Sequence, residues 1–292
     1  MEAAELLQLV IAGLKNGSIY ALLALGFTIV FAATNVINFA QGEFFMLGGM
    51  LAVFAFKGLG IPLLLAVPAA VLAVTLIGVA FEVLTIRPRK DADPMALVII
   101  TVGGSLVLSS LARHLFGSDA LPLPEFTPGP SIPLAGAVVE RQTLWIWAIV
   151  VIAVVGLTLL YSRTRLGRAM RACMQNREAA RLMGIDTARV VTISFALAAA
   201  LGALAGVAVT PLTSTRFDMG AAIAVKGFAA AILGGLGSPL AAVAGGLLLG
   251  LIEQSVIPFS SALKDAVALV VLLLVLFIRP QGLFKRSERE KM

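Results

Sequence analysis

Long apolar runs recur along this chain with almost no charge inside them, and that recurrence leaves the fold little freedom. They cover residues 6–33, 44–56, 61–86, 95–116, 144–161, 190–209, 221–233, 240–252 and 266–278. A bilayer core of about 30 Å is crossed by about 20 helical residues. Backbone groups in lipid must be satisfied internally, which a helix achieves by itself. Only 13% of the 292 residues are charged and 60% are hydrophobic. A soluble domain carries about 25% charge. Disordered chains, coiled coils and ordinary soluble enzymes are therefore excluded. The expected fold is an all-α polytopic membrane protein, a bundle of about eight or nine transmembrane helices with broken or re-entrant segments. It forms one membrane domain over residues 1–292, with no room for a separate soluble domain.

Charge placement orients the bundle. Fifteen of the 22 basic residues fall in three places: the turn at 87–90, the segment 163–189 and the tail 279–292. Short cytoplasmic loops collect Lys and Arg, so all three are expected inside. The proline-rich stretch 117–140, with Asp119, Glu125 and Glu140, is expected outside. The start has acids at Glu2 and Glu5 where a cleaved signal needs basic residues. The first run is expected to stay as a membrane helix. Parity then gives an outside start and about nine crossings, or eight if one short run is re-entrant. A single cysteine, Cys173, allows no disulfide within the chain. No cofactor or metal is expected, since the chain's one histidine is His114 and it has no His-Glu-x-x-His pattern.

Segment 163–189 is the main hydrophilic stretch and is helix-compatible. Met170 and Met174 share a face with Cys173 beside them, Arg168 and Arg171 lie one turn apart, and Arg177 and Arg181 form another basic pair. The helical pattern stops at Gly184. Two readings fit: an orientation-setting helix on the inner leaflet, or an apolar stripe rimmed by Arg that docks into a groove on a cytosolic partner.

A second polar segment is 34–43, where Asn35, Asn38 and Gln41 recur every three residues and on a helix would share a broad face. Amides at membrane depth are either glue between helices or the lining of a wet path where a helix breaks. Gly234-Gly235-Leu236-Gly237-Ser238-Pro239 is a break that would be its counterpart in the second half. Small-xxx-small pairs, Gly13/Gly17, Gly202/Gly206 and Gly246/Gly250, indicate close helix packing. Glu43, Glu82, Lys226 and Glu253 lie in or near spans and each needs a partner or water. Glu43 and Glu82 suit the inner interface, and Lys226 can snorkel.

Glu178-Ala179-Ala180, three residues, then Gly184 resembles the first part of the coupling motif of ABC importer permeases. The later Ile-x-Leu-Pro part is absent, which argues against the commonest permease type and its fold. The string Thr164-Arg165-Leu166-Gly167-Arg168-Ala169-Met170-Arg171-Ala172, with Asn176, Ala180 and Gly184-Ile185, resembles the permeases of branched-chain amino-acid ABC importers. So do segments 16–26 with 35–43, Lys226-Gly227-Phe228 through Pro239, and Arg279-Pro280-Gln281-Gly282-Leu283-Phe284. Together these reach from residue 16 to residue 284.

The resemblance implies a permease subunit in a bacterial inner membrane with its C-terminus in the cytoplasm, not an enzyme itself. It implies two cytosolic ATPase subunits, a second homologous permease giving a heterodimer, and a soluble substrate-binding protein outside. Arg168, Arg171, Glu178, Ala179, Ala180 and Gly184 would couple to the ATPases. Asn35, Asn38, Gln41, Gly234, Gly235 and Gly237 are the candidates for the substrate path. The chain has no Gly-Lys-Ser or Gly-Lys-Thr, as expected where ATP is hydrolysed on other subunits. Related permeases for urea or short amides are the nearest alternative. An ion-coupled transporter or channel is an alternative of another class, with Glu43 and Glu253 as sparse candidates. An intramembrane serine protease lacks a histidine base near Ser105.

Overall fold

The computed structural model describes residues 3–89, 92–258, 260, 264–279 and 282–284, with only the backbone of Asp265. The expected basic tail from Lys285 onward, and Lys90 in the basic turn, lie outside the described residues.

Eleven α-helices carry nearly all of the structure: α1 (Ala3–Thr34), α2 (Gln41–Val53), α3 (Leu63–Phe81), α4 (Pro94–Phe116), α5 (Arg141–Arg163), α6 (Arg165–Gln175), α7 (Arg177–Leu182), α8 (Thr187–Thr213), α9 (Met219–Gly234), α10 (Pro239–Val256) and α11 (Lys264–Ile278). A π turn, Phe54–Gly58, extends α2, and another, Glu82–Ile86, extends α3. The one departure from an all-helical chain among the described residues is a small antiparallel hairpin, β1 (Ile132–Leu134) with β2 (Ala137–Val139), inside the proline-rich stretch.

Among the described residues six helices have the length and apolarity of a membrane span, and α9 and α11 are shorter apolar helices. The protein is a multi-pass membrane protein. Among the described residues α2, α9 and α11 pack with these six, and the first turns of α2 and α9 meet each other at Gly42 and Gly220, so these two do not both run from end to end. At one end stand Thr34, Arg87, α7 and the start of α8, which share a cavity. The turn between α9 and α10 lies at this end too, touched by Met174 of α6 and by residues 282–284. This is the basic end. At the other end Leu121 bridges to Thr215, Gln8 holds both the N–H and the carbonyl of Val138, and Lys15 pairs with Glu140 at 2.9 Å. The charge count thus separates the two ends correctly.

Burial is uneven. In its most apolar window α1 is 89% buried and α8 67%, against 17% for α4. All but one residue of α2 is buried. Its 13 residues span about 20 Å at 1.5 Å each, too short to cross alone, and α8, α9 and α3 enclose it.

Glycine makes this enclosure possible. Gly13 and Gly17 of α1 lie against Gly246 and Gly250 of α10, so two of the three small-xxx-small pairs face each other. A Cβ on Gly17 would stand 2.8 Å from Leu247 Cα. The third pair, Gly202 and Gly206 of α8, receives α2 at Phe44 and Phe45. Lipid tails are as apolar as Leu, so close backbone packing rather than hydrophobic burial drives such association.

Candidate functional site

Two regions carry the residues singled out by the sequence. The first is the pair α6–α7 at the basic end. Thr164 opens α6 by accepting a hydrogen bond from the Gly167 N–H at 3.0 Å. Gly167 lies directly against the last turn of α5, which folds α6 back beneath the bundle. Met170 and Cys173 form the buried face of α6. Burial pushes the Cys173 thiol upward, with Arg177 opposing.

Segment 163–189 is not one helix. Asn176 takes an extended backbone, and its side chain accepts from the Ala179 N–H at 2.9 Å, ending α6 and capping α7. The helix stop at Gly184 is borne out. Its φ of 82° is the left-handed conformation that glycine adopts freely. Gly184 N–H donates to the Arg181 carbonyl and Ile185 N–H to that of Ala180, the paired bonds of a Schellman end.

The coupling candidates separate by role. Glu178 and Ala179 are exposed, as is Arg168, while Ala180 is 4% exposed and anchors α7 inward. Arg171 does not pair outward with Arg168, because its guanidinium donates to the Tyr161 carbonyl at the end of α5. A basic group satisfying terminal carbonyls is a helix-end device. Leu182 is 89% exposed and Met183 83%. The sequence pattern marks Met170 and Met174 as the apolar stripe of this segment and does not single out these two. Their place beside the Gly184 stop is the signal that marks them, since a tight turn there pushes both outward.

The second region is the break between α1 and α2. Thr34 closes α1, with its hydroxyl donating to Val30 O and accepting from Val36 N. Asn35 follows with φ 55° and is exposed. Asn38 is buried, and its side chain accepts from Ala40 N at 3.1 Å. Gln41 is fully buried and donates to the Ala198 carbonyl of α8 at 2.9 Å. Its amide fits against Gly26, where a Cβ would collide with it, and lies close to Gly202, where a Cβ would be in tight contact. The three amides do not share a helical face: residues 35–40 are not helical, which turns Asn35 outward and the other two inward. Phe39 packs on Phe228 of α9 with ring centres 5.7 Å apart.

Gly234, Gly235 and Gly237 lie at the basic end, away from Gln41. Gly235 has φ 115° and Gly237 φ 98°. Gly282 sits directly on Gly235, and the N–H groups of Leu283 and Phe284 donate to the carbonyls of Leu233 and Gly234. Two of the segments quoted for the family resemblance therefore meet in space. Residues 282–284 close the open carbonyls at the end of α9.

The intramembrane charges also find their places. Lys226 does not snorkel. Its ammonium meets Glu253 at 2.7 Å, and the Tyr20 hydroxyl donates to the same fully buried carboxylate. A charge this deep needs a direct counter-charge. Glu43 is not at the inner interface but lies buried against Gly220, in the first turn of α9. Glu82 is 1% exposed and accepts a hydrogen bond from Thr192 at 2.8 Å.

The chain is 34% identical to the high-affinity branched-chain amino acid transport system permease protein BraD of Pseudomonas aeruginosa, over 98% of each chain. It is 33% identical to LivH of Escherichia coli K12, the permease protein of the system so described, over 98% of this chain and 97% of that one. Residues 9–276 match the family described as the permease component of branched-chain amino acid transport systems, and the chain belongs to that family.

Proposed function

We propose that this chain is the membrane-spanning permease subunit of an ATP-driven importer, that it moves branched-chain amino acids inward across a bacterial inner membrane, and that residues 1–292 act as one domain. The observation that carries this reading is α7. A short capped helix stands at the basic end with Leu182 and Met183 exposed and with Glu178, Ala179 and Gly184 in the coupling pattern. In water such an apolar tip calls for a groove on a partner. The partner is an ATPase subunit, one of two, beneath this permease and a second homologous one. Arg168 adds an exposed positive charge to the docking face, and Arg171 and Ala180 hold it in shape.

The excess of Lys and Arg supports reading the basic end as the cytoplasmic end, with the C-terminus on that side. A soluble binding protein delivers cargo at the opposite end. The route passes beside the α1–α2 break, where Asn35 is exposed and Asn38 and Gln41 hold the unwound segment from behind. Gly234, Gly235 and Gly237 form the turn that transmits movement of α6 to α9 and α10, through Met174 beside Gly237. The Lys226–Glu253 pair neutralises Glu253, one of the two carboxylates that an ion-coupled transporter would need free.

The test is uptake into vesicles containing the assembled transporter, with leucine, isoleucine, valine, urea and short amides offered in turn. ATP-dependent uptake of the three amino acids is expected. Glu178→Arg and Gly184→Val should each abolish it while membrane insertion is unchanged. Normal uptake in both variants would remove α7 from the coupling role, and uptake of urea in place of leucine would change the cargo. Asn38→Leu should alter transport while the ATPases remain bound; release of the ATPases would give Asn38 a structural role instead.

A further inference from the structure

At the basic end a cavity of about 380 Å³ opens between the π turn after α3, the start of α4, α7 and the start of α8. Ligand sites commonly occupy about 300–1,000 Å³, so this one is of a size for a small molecule. Its charged lining is balanced: Glu82, Glu178 and Asp186 against Arg87, Arg177 and Arg181. Asp186 is spent locally, capping α8 and pairing with Arg189. Glu82 is held by Thr192. Among the described residues, the three arginines and Glu178 make no ion pair within 4 Å. Buried Leu97 and Val191 complete the wall.

An anionic ligand alone would face three carboxylates, and a cation alone three guanidiniums. A molecule carrying both charges satisfies both sets, with the arginines taking an oxyanion and the carboxylates an ammonium. We propose that this cavity binds a small zwitterion, a primary ammonium joined to an acidic oxyanion, and that its occupancy fixes α7 against α3 and α8. Two sources carry that chemistry at this face: the free amino acid released into the cytoplasm, and the ethanolamine phosphate headgroup of an inner-leaflet lipid. Where the first is the occupant, imported cargo restrains the helix that drives its own import. This regulatory role rests on the transport reading above.

The experiment uses the assembled transporter without its binding protein, in vesicles of phosphatidylcholine or of phosphatidylcholine with phosphatidylethanolamine. Binding of radiolabelled L-leucine is measured for the wild type, Glu82→Gln and the exposed Arg87→Gln, alongside leucinamide and 4-methylpentanoate, which each lack one charge. The expected result is saturable leucine binding in phosphatidylcholine, weakened about tenfold or more by either substitution, with neither single-charge analogue competing. If phosphatidylethanolamine displaces leucine from the wild type, the headgroup shares the site. If leucine fails to bind but phosphatidylethanolamine raises the thermal stability of the wild type and not of Arg87→Gln, the lipid is the occupant and the zwitterion chemistry stands. Leucine binding and lipid response both unchanged in Arg87→Gln would overturn the proposal, as would a wild type that responds to neither ligand. ATP-driven uptake by the wild type, measured with binding protein added, separates this outcome from failure of the transport reading itself.

Discussion

The closely packed helices α1, α2, α8 and α10 and the exposed pair α6–α7 solve opposite problems. In the first group, backbones approach so closely that glycine is required at the crossings, and the buried Glu253 of α10 is matched by Lys226 of α9. In the second, short helices are held by local capping bonds at Thr164, Asn176 and Gly184, and their outward residues make few contacts within the chain. The contrast teaches where each residue's justification lies. A glycine at an α1–α10 crossing is explained by this chain alone, whereas Leu182, 89% exposed, is covered by nothing in this chain, and the proposed ATPase contact is what would account for it.

Four substitutions would sharpen or break that contrast. The largest loss should come from Lys226→Met, which leaves the fully buried Glu253 without its counter-charge. Breaking a buried pair by removing one partner costs about 3–5 kcal/mol. The double variant Lys226→Met with Glu253→Gln should recover most of the thermal stability in detergent, and no recovery would mean the two do not act as a pair. Gly17→Leu comes next. Overpacking costs roughly 1–3 kcal/mol, and here the new atoms meet the α10 backbone rather than a side chain that can turn aside. A monodisperse, fully stable Gly17→Leu protein would show that α1 and α10 do not cross as described.

On the other side of the comparison, Asn176→Ala removes one helix cap and should cost about 1 kcal/mol, seen as a small drop in melting temperature. Smallest in stability is Leu182→Glu, expected within about 0.5 kcal/mol of the wild type as an exposed substitution. Its uptake should nevertheless be lost. A Leu182→Glu transporter that still imports at full rate would break the distinction between the two regions.

The amides of the α1–α2 break show how far sequence reasoning reached. The break itself was legible in the polar run from Thr34 to Glu43. What each amide does was not, because spacing by three implies a shared face only on a continuous helix. The positive φ at Asn35 ends that continuity, and the glycines that receive Gln41 lie on α1 and α8, distant in sequence. Likewise Lys226 and Glu253 were each visible as costly, but their pairing needed the packing of α9 on α10. The stop at Gly184 was legible because a Schellman end is a local structure, with bonds reaching no more than five residues back.

By itself the sequence determined the helical class, the alternation of spans and turns, and which loops gather at the basic end. Those follow from local apolarity, from backbone hydrogen bonding in lipid and from the count of Lys and Arg. Only the tertiary structure decided that α1, α2 and α8 are central while α4 stays at the rim, and that Gly13 and Gly17 meet Gly246 and Gly250. The physical reason is that a helix facing lipid and a helix facing protein can be equally apolar. Hydropathy then carries no inside–outside contrast. The arrangement is set by small residues and buried polar groups, whose meaning appears only once the surface opposite them is in place.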